Sequence, residues 1–382
     1  MARRPASRIT RDAIGWHRVG LLRAAAAGLG DWFAQVIHVT LPEMRSAFVP
    51  RLVNHPFGDP GLFVGLRDRG RAVLFDLGRI DRQPAAALLK LTHVFVSHTH
   101  MDHFIGFDHL LRIFLARDAH LDIFGPPGII ANVRGKLAGY TWNLIENYPL
   151  TLSVHEVGRE IIEAVRLPAR TAFAPEPLPS RAFDGTLVDT PELAVTTAHL
   201  DHRIPCLGFA MTEKTRINIR PDRLEALGVP PGRWLNALKD AVRAGLPADT
   251  PIVAEWREAG TTQQRRFTLG ALRDSLLVQT PGQKIAYVVD TLFSRDNLER
   301  ISALARDADV FFCESLFLDA DRDQASKRYH LTARQAGSLA RAAGVARLET
   351  FHFSSRYDRD PAPLRAEAQA VFRGELPPDE PG

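Results

Sequence analysis

The sequence predicts a layered α/β fold, and three features carry that prediction. Short apolar runs alternate with amphipathic ones along the 382 residues. No internal repeat is present that would signal a solenoid or propeller. Dense polar clusters follow directly on apolar runs, as when loops at strand ends carry chemistry on a rigid scaffold. The composition, 45% hydrophobic and 24% charged, is that of an ordinary globular protein.

Taken in order, AVLFDLG (72–78) is a short apolar run stopped by Asp76 and Gly78, a buried strand. AAALLKL (85–91) reads as a short helix and HVFVSH (93–98) as a second strand with Val94, Phe95 and Val96 inside. In residues 106–118, Phe107, Leu110, Leu111 and Phe114 recur at helical spacing. LDIFGPPG (121–128) is a strand closed by a Gly-Pro turn, and the Pro-rich 168–181 reads as a surface loop. CLGFAM (206–211), KIAYVVDT (284–291) and ADVFFCES (308–315) are further strands. The more polar 212–280 reads as a helical insertion. In LTARQAGSLARAAG, Thr332 with Gln335 forms a capping box and Gly344 stands at the helix end. RLETFHFSSRY (347–357) is a last strand running into a polar loop.

The main domain therefore spans 34–372. Residues 1–33, rich in arginine, form a flexible N-terminal extension with a short amphipathic helix, and 373–382 a disordered tail. No run reaches the ~18 apolar residues of a membrane span. The two cysteines, Cys206 and Cys313, offer no disulfide framework. A cytoplasmic protein is expected, although the Arg-rich start also fits an organellar transit peptide in a eukaryotic source. The net charge of +4 is compatible with an anionic substrate.

The densest cluster is VFVSHTHMDHF, which places His98, His100, Asp102 and His103 at the end of a stiff strand. Neutral imidazoles bind zinc-like ions through one ring nitrogen and carboxylates through oxygen, so these four side chains make half of a metal site. The other half should be lone histidines or acids at strand ends. TTAHLDHRIPCLGF offers His199 and His202, of which His202 stands nearer the next strand. YVVDT offers Asp290 and TFHFSSRY offers His352.

These motifs resemble the metallo-β-lactamase fold, and within it the ribonuclease Z family of transfer-RNA 3′ endonucleases. SHTHMDH resembles the signature H-x-H-x-D-H. DHRIPCLGF, VVDT and HFSSRY resemble the later histidine and bridging-aspartate motifs, and CESLF with YHLTARQAG a paired Glu and His-Ser/Thr element of that branch. The resemblance covers about residues 35–360. It implies an αββα four-layer sandwich and two divalent ions, expected to be Zn2+. His98, His100 and His202 would hold one, Asp102, His103 and His352 the other, and Asp290 would bridge them. A metal-activated water would attack the phosphodiester, with Asp102 as general base and His330, oriented by Glu314, protonating the leaving oxygen. Arg356 would bind a phosphate oxygen. The implied partner is precursor tRNA and the implied assembly a homodimer.

Two departures from the family pattern, Met101 for Gly and Cys206 for Ser, touch no ligand. The protruding Gly- and Lys-rich arm of the family has no counterpart of that composition here, although GVPPGRWLNALK resembles a Gly-Pro segment of the family. Two alternatives share the metal site. One is a hydrolase of a small phosphodiester, cyclic nucleotide or ester. The other is a non-catalytic, metal-stabilised binding protein, against which Asp102, Glu314 and His330 argue together, because a structural zinc needs no spare acid and base.

Overall fold

In the computed structural model, which describes residues 47–381 apart from 68, 259 and 358, the apolar runs become the strands of two stacked sheets. The first sheet has eight strands, adjacent in space in the order in which the chain makes them. They are β1 (Phe48–Leu52), β2 (Leu62–Leu66), β3 (Arg71–Phe75), β4 (Leu91–Phe95), β5 (His120–Gly125), β6 (Thr151–Val157), β7 (Ile161–Pro168) and β8 (Glu176–Ala182). β3 to β6 run parallel, which requires crossovers. These contain the helices α1 (Ala85–Leu88), α2 (Met101–Phe104), α3 (Phe107–Phe114) and α4 (Ile129–Ala138). The helical spacing read in 106–118 is borne out: α3 buries Phe107, Leu110, Leu111 and Phe114. They pack with Leu74, Val94 and Ile123 on the sheet's outer face.

The chain then begins a second sheet with β9 (Thr186–Asp189), β10 (Leu193–Asp201) and β11 (Pro205–Glu213). It departs into an insertion of β12 (Thr215–Ile219), α5 (Pro221–Leu227), α6 (Trp234–Arg243), β13 (Pro251–Glu258), β14 (Thr261–Thr268), α7 (Leu269–Leu276) and β15 (Leu277–Pro281). It returns with β16 (Lys284–Val288), α8 (Arg295–Ala305), β17 (Val310–Glu314), α9 (Arg322–Arg328), α10 (Ala333–Ala343), β18 (Leu348–Phe351) and α11 (Ala362–Phe372). The order across the sheet is β18-β17-β16-β11-β10-β9. α8, α10 and α11 cover its outer face through Ile301, Leu304, Leu339 and Leu364.

Between the sheets lies a third core. Phe75 stacks on Phe95 at 5.2 Å and on Tyr287 at 5.7 Å between ring centroids. Each such fully buried ring stabilises the sandwich by ~1.5–3 kcal/mol. The layer order is helices, sheet, sheet, helices, the four-layer αββα sandwich expected. The capping box also forms: Gln335 N–H donates to Thr332 Oγ1 at 3.2 Å and Thr332 N–H to Gln335 Oε1 at 3.0 Å.

Three expectations change. The Pro-rich stretch read as a loop supplies β8, because an edge strand tolerates prolines that cannot donate to a ladder. The insertion is not only helical. β12 pairs with β15, and β13 with β14 through a turn with Gly260 at φ +82°. Exposed, polar β14 carries no apolar run to announce it. The tail is tied down at Pro377, whose carbonyl accepts from Arg334 Nη2 at 3.0 Å, and at Asp379, whose N–H donates to Ser338 Oγ at 2.7 Å and whose carboxylate pairs with Arg322 at 2.9 Å. The N-terminal extension lies outside the described residues. No helix among the described residues is long and apolar enough to cross a membrane.

Candidate metal centre

Both sheets deliver polar side chains to one place, past the C-terminal ends of their parallel strands, where open α/β sheets characteristically place their sites. From the first sheet come Asp76, just after β3, and His98–His103, after β4. From the second come Asp290 after β16, Glu314 at the end of β17 and His352 after β18. His202 stands in the β10–β11 turn and His330 between α9 and α10. Asp76, Asp290 and His352 have φ of +58°, +45° and +59°. A non-glycine residue in the left-handed region costs ~1 kcal/mol or more, and such strain gathers at functional sites. Gly106 meets Gly78 so closely that a Cβ on it would lie 2.3 Å from the Gly78 carbonyl oxygen. Leu77 N–H donates to His103 O, and Gly106 N–H to Leu77 O, both at 2.8 Å. These contacts pin α2, which carries Asp102 and His103.

Asp290 is the centre of the cluster. Its Oδ2 lies 3.5 Å from His98 Nε2, 3.4 Å from His103 Nε2 and 3.4 Å from His202 Nε2, and its Oδ1 lies 3.0 Å from His352 Nδ1. Asp102 Oδ2 lies 3.5 Å from both His103 Nε2 and His352 Nε2. Three groups of donors converge: His98, His100, His202 and Asp290; Asp102, His103 and His352; and Asp290, Glu314, His330 and His352. All seven residues expected as ligands are thus brought together. His199, the rejected candidate, faces away, its Nε2 3.0 Å from the carbonyl of Gly158.

The donor set fits a metal. His98 Nε2, His103 Nε2, Asp290 Oδ1 and His352 Nδ1 are buried without a hydrogen-bond partner. Buried polar atoms are otherwise nearly always satisfied, and these are imidazole nitrogens and a carboxylate oxygen, the ligand atoms of zinc-class ions. Spacings of 3.4–3.5 Å match those between ligands ~2.0–2.1 Å from a tetrahedral ion.

The electrostatics favour positive charge here. Burial pushes His352 down, yet the neighbouring Asp290 and Asp102 carboxylates prevail and raise it to about 10. His103 is likewise raised, burial being outweighed by Asp290 and Asp76. His98 is held to about 2 by burial and by the neighbouring His103. Burial pushes the Asp102 carboxyl up, but the His352 hydrogen bond and the His103 charge take it below the usual carboxylate range.

A second ring of residues orients the donors. Asp76 accepts from Ser97 N–H at 2.6 Å, Ser97 Oγ at 2.9 Å, Tyr287 OH at 2.9 Å and His103 Nδ1 at 3.0 Å. Ser97 Oγ also meets His98 Nδ1 at 3.1 Å, and the Tyr329 carbonyl accepts from His202 Nδ1 at 2.8 Å. Such partners fix which ring nitrogen faces the metal. Asp76 was legible only as an acid ending an apolar run, the signal that singles out Asp290. Nothing in sequence marks Ser97, Tyr287 or the Tyr329 carbonyl.

Beside the cluster, His330 Nδ1 lies 2.8 Å from Glu314 Oε2, whose other oxygen accepts from Thr291 N–H at 2.8 Å. Burial lowers His330, but Glu314 and Asp290 raise it on balance. Arg356, the expected phosphate ligand, is engaged elsewhere. Its Nη1 is 2.9 Å from Asp321 Oδ1 and its guanidinium sits 5.8 Å from the Phe317 ring centroid.

No family model matches the chain. Among curated proteins, the ribonuclease Z of Deinococcus radiodurans is 31% identical over 329 residues, covering 84% of this chain and 95% of that protein. The ribonuclease Z of Salinibacter ruber is 32% identical over 314 residues, covering 80% and 82%. Among solved structures, the short form of human tRNase Z superposes with a TM-score of 0.46 at 18% identity, covering 81% of this chain and 93% of that one.

Proposed function

Because the chain belongs to the ribonuclease Z family, we propose that it is a metal-dependent endoribonuclease that cleaves precursor tRNA on its 3′ side. The observation that carries this reading is the Glu314–His330 pair at 2.8 Å beside the seven-donor cluster. A hydrolase of activated esters needs metals and a base. Expelling an alkoxide from RNA also needs an acid, and this pair supplies one.

Two divalent ions, Zn2+ by the donor chemistry, would be held by His98, His100 and His202 and by Asp102, His103 and His352, with Asp290 between. When bound they supply an acidified water and neutralise charge on the phosphodiester. The chain's own residues do the rest. Asp102 is half-buried, with 43% of its side chain exposed, so its carboxylate can take a proton from the attacking water and pass it to solvent. Glu314, fully buried and held by Thr291 N–H, fixes His330 through Nδ1. That leaves Nε2 to deliver a proton to the leaving ribose oxygen.

The insertion supports an RNA substrate. It has its own core of Trp234, Leu238, Ile252, Leu269 and Leu276, and its β13–β14 hairpin exposes Arg257, Arg265 and Arg266. Set against exposed Glu255 and Glu258 on the same hairpin, these cations leave a small positive excess that suits contacts to RNA phosphates away from the scissile bond. The reading extends to a cytoplasmic homodimer, for which light scattering would return twice the chain mass of 42.4 kDa.

The test is incubation of the holoenzyme with a precursor tRNA and, separately, with a nitrophenyl phosphodiester, each with and without chelator. The expected result is one specific, chelator-sensitive cut in the RNA, with a rate that falls steeply with salt. Hydrolysis of the small ester alone, with intact RNA, overturns the reading.

A further inference from the structure

Arg356 is paired to Asp321, and the rim beside His202 and His330 offers a second arginine that carries no such pair. Arg203 follows His202 directly. Its φ is +60°, its N–H donates to Asp201 Oδ1 at 2.9 Å, and the Asp201 backbone is clamped by the Asn297 side chain at 3.1 Å on both N–H and C=O. The turn is therefore rigid and holds Arg203 in a conformation that side-chain-bearing residues rarely adopt. Its guanidinium carbon lies 4.4 Å from the centroid of the Tyr329 ring. Tyr329 is itself left-handed at φ +65°, holds His202 through its carbonyl and immediately precedes His330. Two strained residues from separate elements thus meet at the rim, each adjoining a residue of the metal centre.

Arg203 is exposed, and among the described residues no carboxylate pairs with its guanidinium. The two residues before Tyr329, Lys327 and Arg328, are exposed basic side chains at the end of α9. A guanidinium held over an aromatic ring by its π face keeps N–H donors that the ring does not use. It thereby presents a preorganised fork to a phosphate, where a free side chain would first lose rotamer entropy. An arginine recruited to the fold would be expected to find a carboxylate, as Arg356 and Arg322 do. This one is held by a ring instead, its charge left over.

We infer that Arg203, seated on Tyr329, binds a phosphate of the RNA chain next to the scissile one, on the side of the leaving ribose that His330 protonates, with Lys327 and Arg328 extending the same cationic rim. The inference rests on the endoribonuclease reading. It makes Arg203 a substrate-binding residue and Tyr329 the platform that positions it.

The experiment is steady-state cleavage of precursor tRNA by the metal-loaded enzyme over a salt series of ~50–300 mM, with bound metal measured in every variant. Arg203→Ala should raise KM about tenfold, the scale of a hydrogen bond to a charged group. It should also flatten the slope of log(kcat/KM) against log salt by ~0.7, one phosphate contact on a single strand. Arg203→Lys should keep the slope, since the charge stays, while raising KM for want of the fork. Tyr329→Leu, which removes the ring but keeps the carbonyl that holds His202, should raise KM in the same direction as Arg203→Ala. An unchanged KM and slope in Arg203→Ala overturn the inference. So does loss of metal with an unchanged slope, which would make Arg203 a staple for the His202 turn. If the wild type leaves RNA intact while hydrolysing a nitrophenyl phosphodiester, the endoribonuclease reading itself falls, and this inference with it.

Discussion

Replacing Asp76 by Asn changes one atom and should unload half of the metal centre without unfolding the protein. The Asp76 carboxylate is fully buried and accepts four hydrogen bonds. In Asp76→Asn the backbone N–H of Ser97, 2.6 Å from Oδ1, can only donate, so it pins the amide oxygen on its own side. The new NH2 group then stands where Oδ2 was, facing Ser97 Oγ and Tyr287 OH at 2.9 Å and His103 Nδ1 at 3.0 Å. Its two hydrogens can serve two of these three partners, and either hydroxyl can rotate to accept. His103 can accept at Nδ1 only by moving its proton to Nε2, and a protonated Nε2 cannot ligate a metal. Losing an orienting partner of this kind lowers metal affinity by ~10–100-fold, while only one of the four hydrogen bonds around residue 76 is lost, since two amide hydrogens face three partners. Asp76→Ala strands the same buried donors and should cost about 3–5 kcal/mol of folding stability. The assay is competition for zinc against a chromogenic chelator, with urea unfolding of the same samples. An Asn variant whose weaker metal binds within about twofold of wild type would refute the tautomer argument.

Elemental analysis of protein purified without chelator should give two metal equivalents per chain, and stripping them should lower the urea midpoint, because ligand binding here is also folding free energy. One equivalent or fewer at full turnover contradicts this. His330→Ala should slow RNA cleavage by ~10²–10⁴-fold, and Glu314→Gln by less, with metal retained in both. Metal loss in His330→Ala would instead make it a ligand, as its place in the third donor group allows. In acid, below ~3.9, a separate contribution should fade. Burial pushes the Asp122 carboxyl up, but the His155 hydrogen bond and the charges of His120, His155 and His93 take it below its ordinary value. A depressed acid stabilises the fold above ~3.9 and loses that contribution as pH falls through its lower folded value. Stability measured in urea between pH 7 and pH 3 should therefore fall less in Asp122→Asn than in wild type, and parallel curves would count against it.

The local pattern of residues determined much of this protein. Apolar runs at 72–75, 94–96, 285–288 and 310–313 became buried strand segments, because a strand covered on both faces must be apolar where it is buried. The donor cluster was legible from local sequence too: His98 to His103 follow directly on one strand and run into α2, and few structural roles ask for three imidazoles and a carboxylate together. Tertiary structure decided what depends on contacts between residues far apart in the chain. Asp76 and Tyr287 are 211 positions apart and meet only because β3 and β16 face each other across the inter-sheet core. Arg356 went to Asp321 and Arg203 to Tyr329, a choice no spacing encodes, since every exposed arginine looks alike until its neighbours are placed. Exposed strands such as β14 escaped as well: their hydrogen bonds come from the partner strand, and their side chains face water, which imposes no pattern.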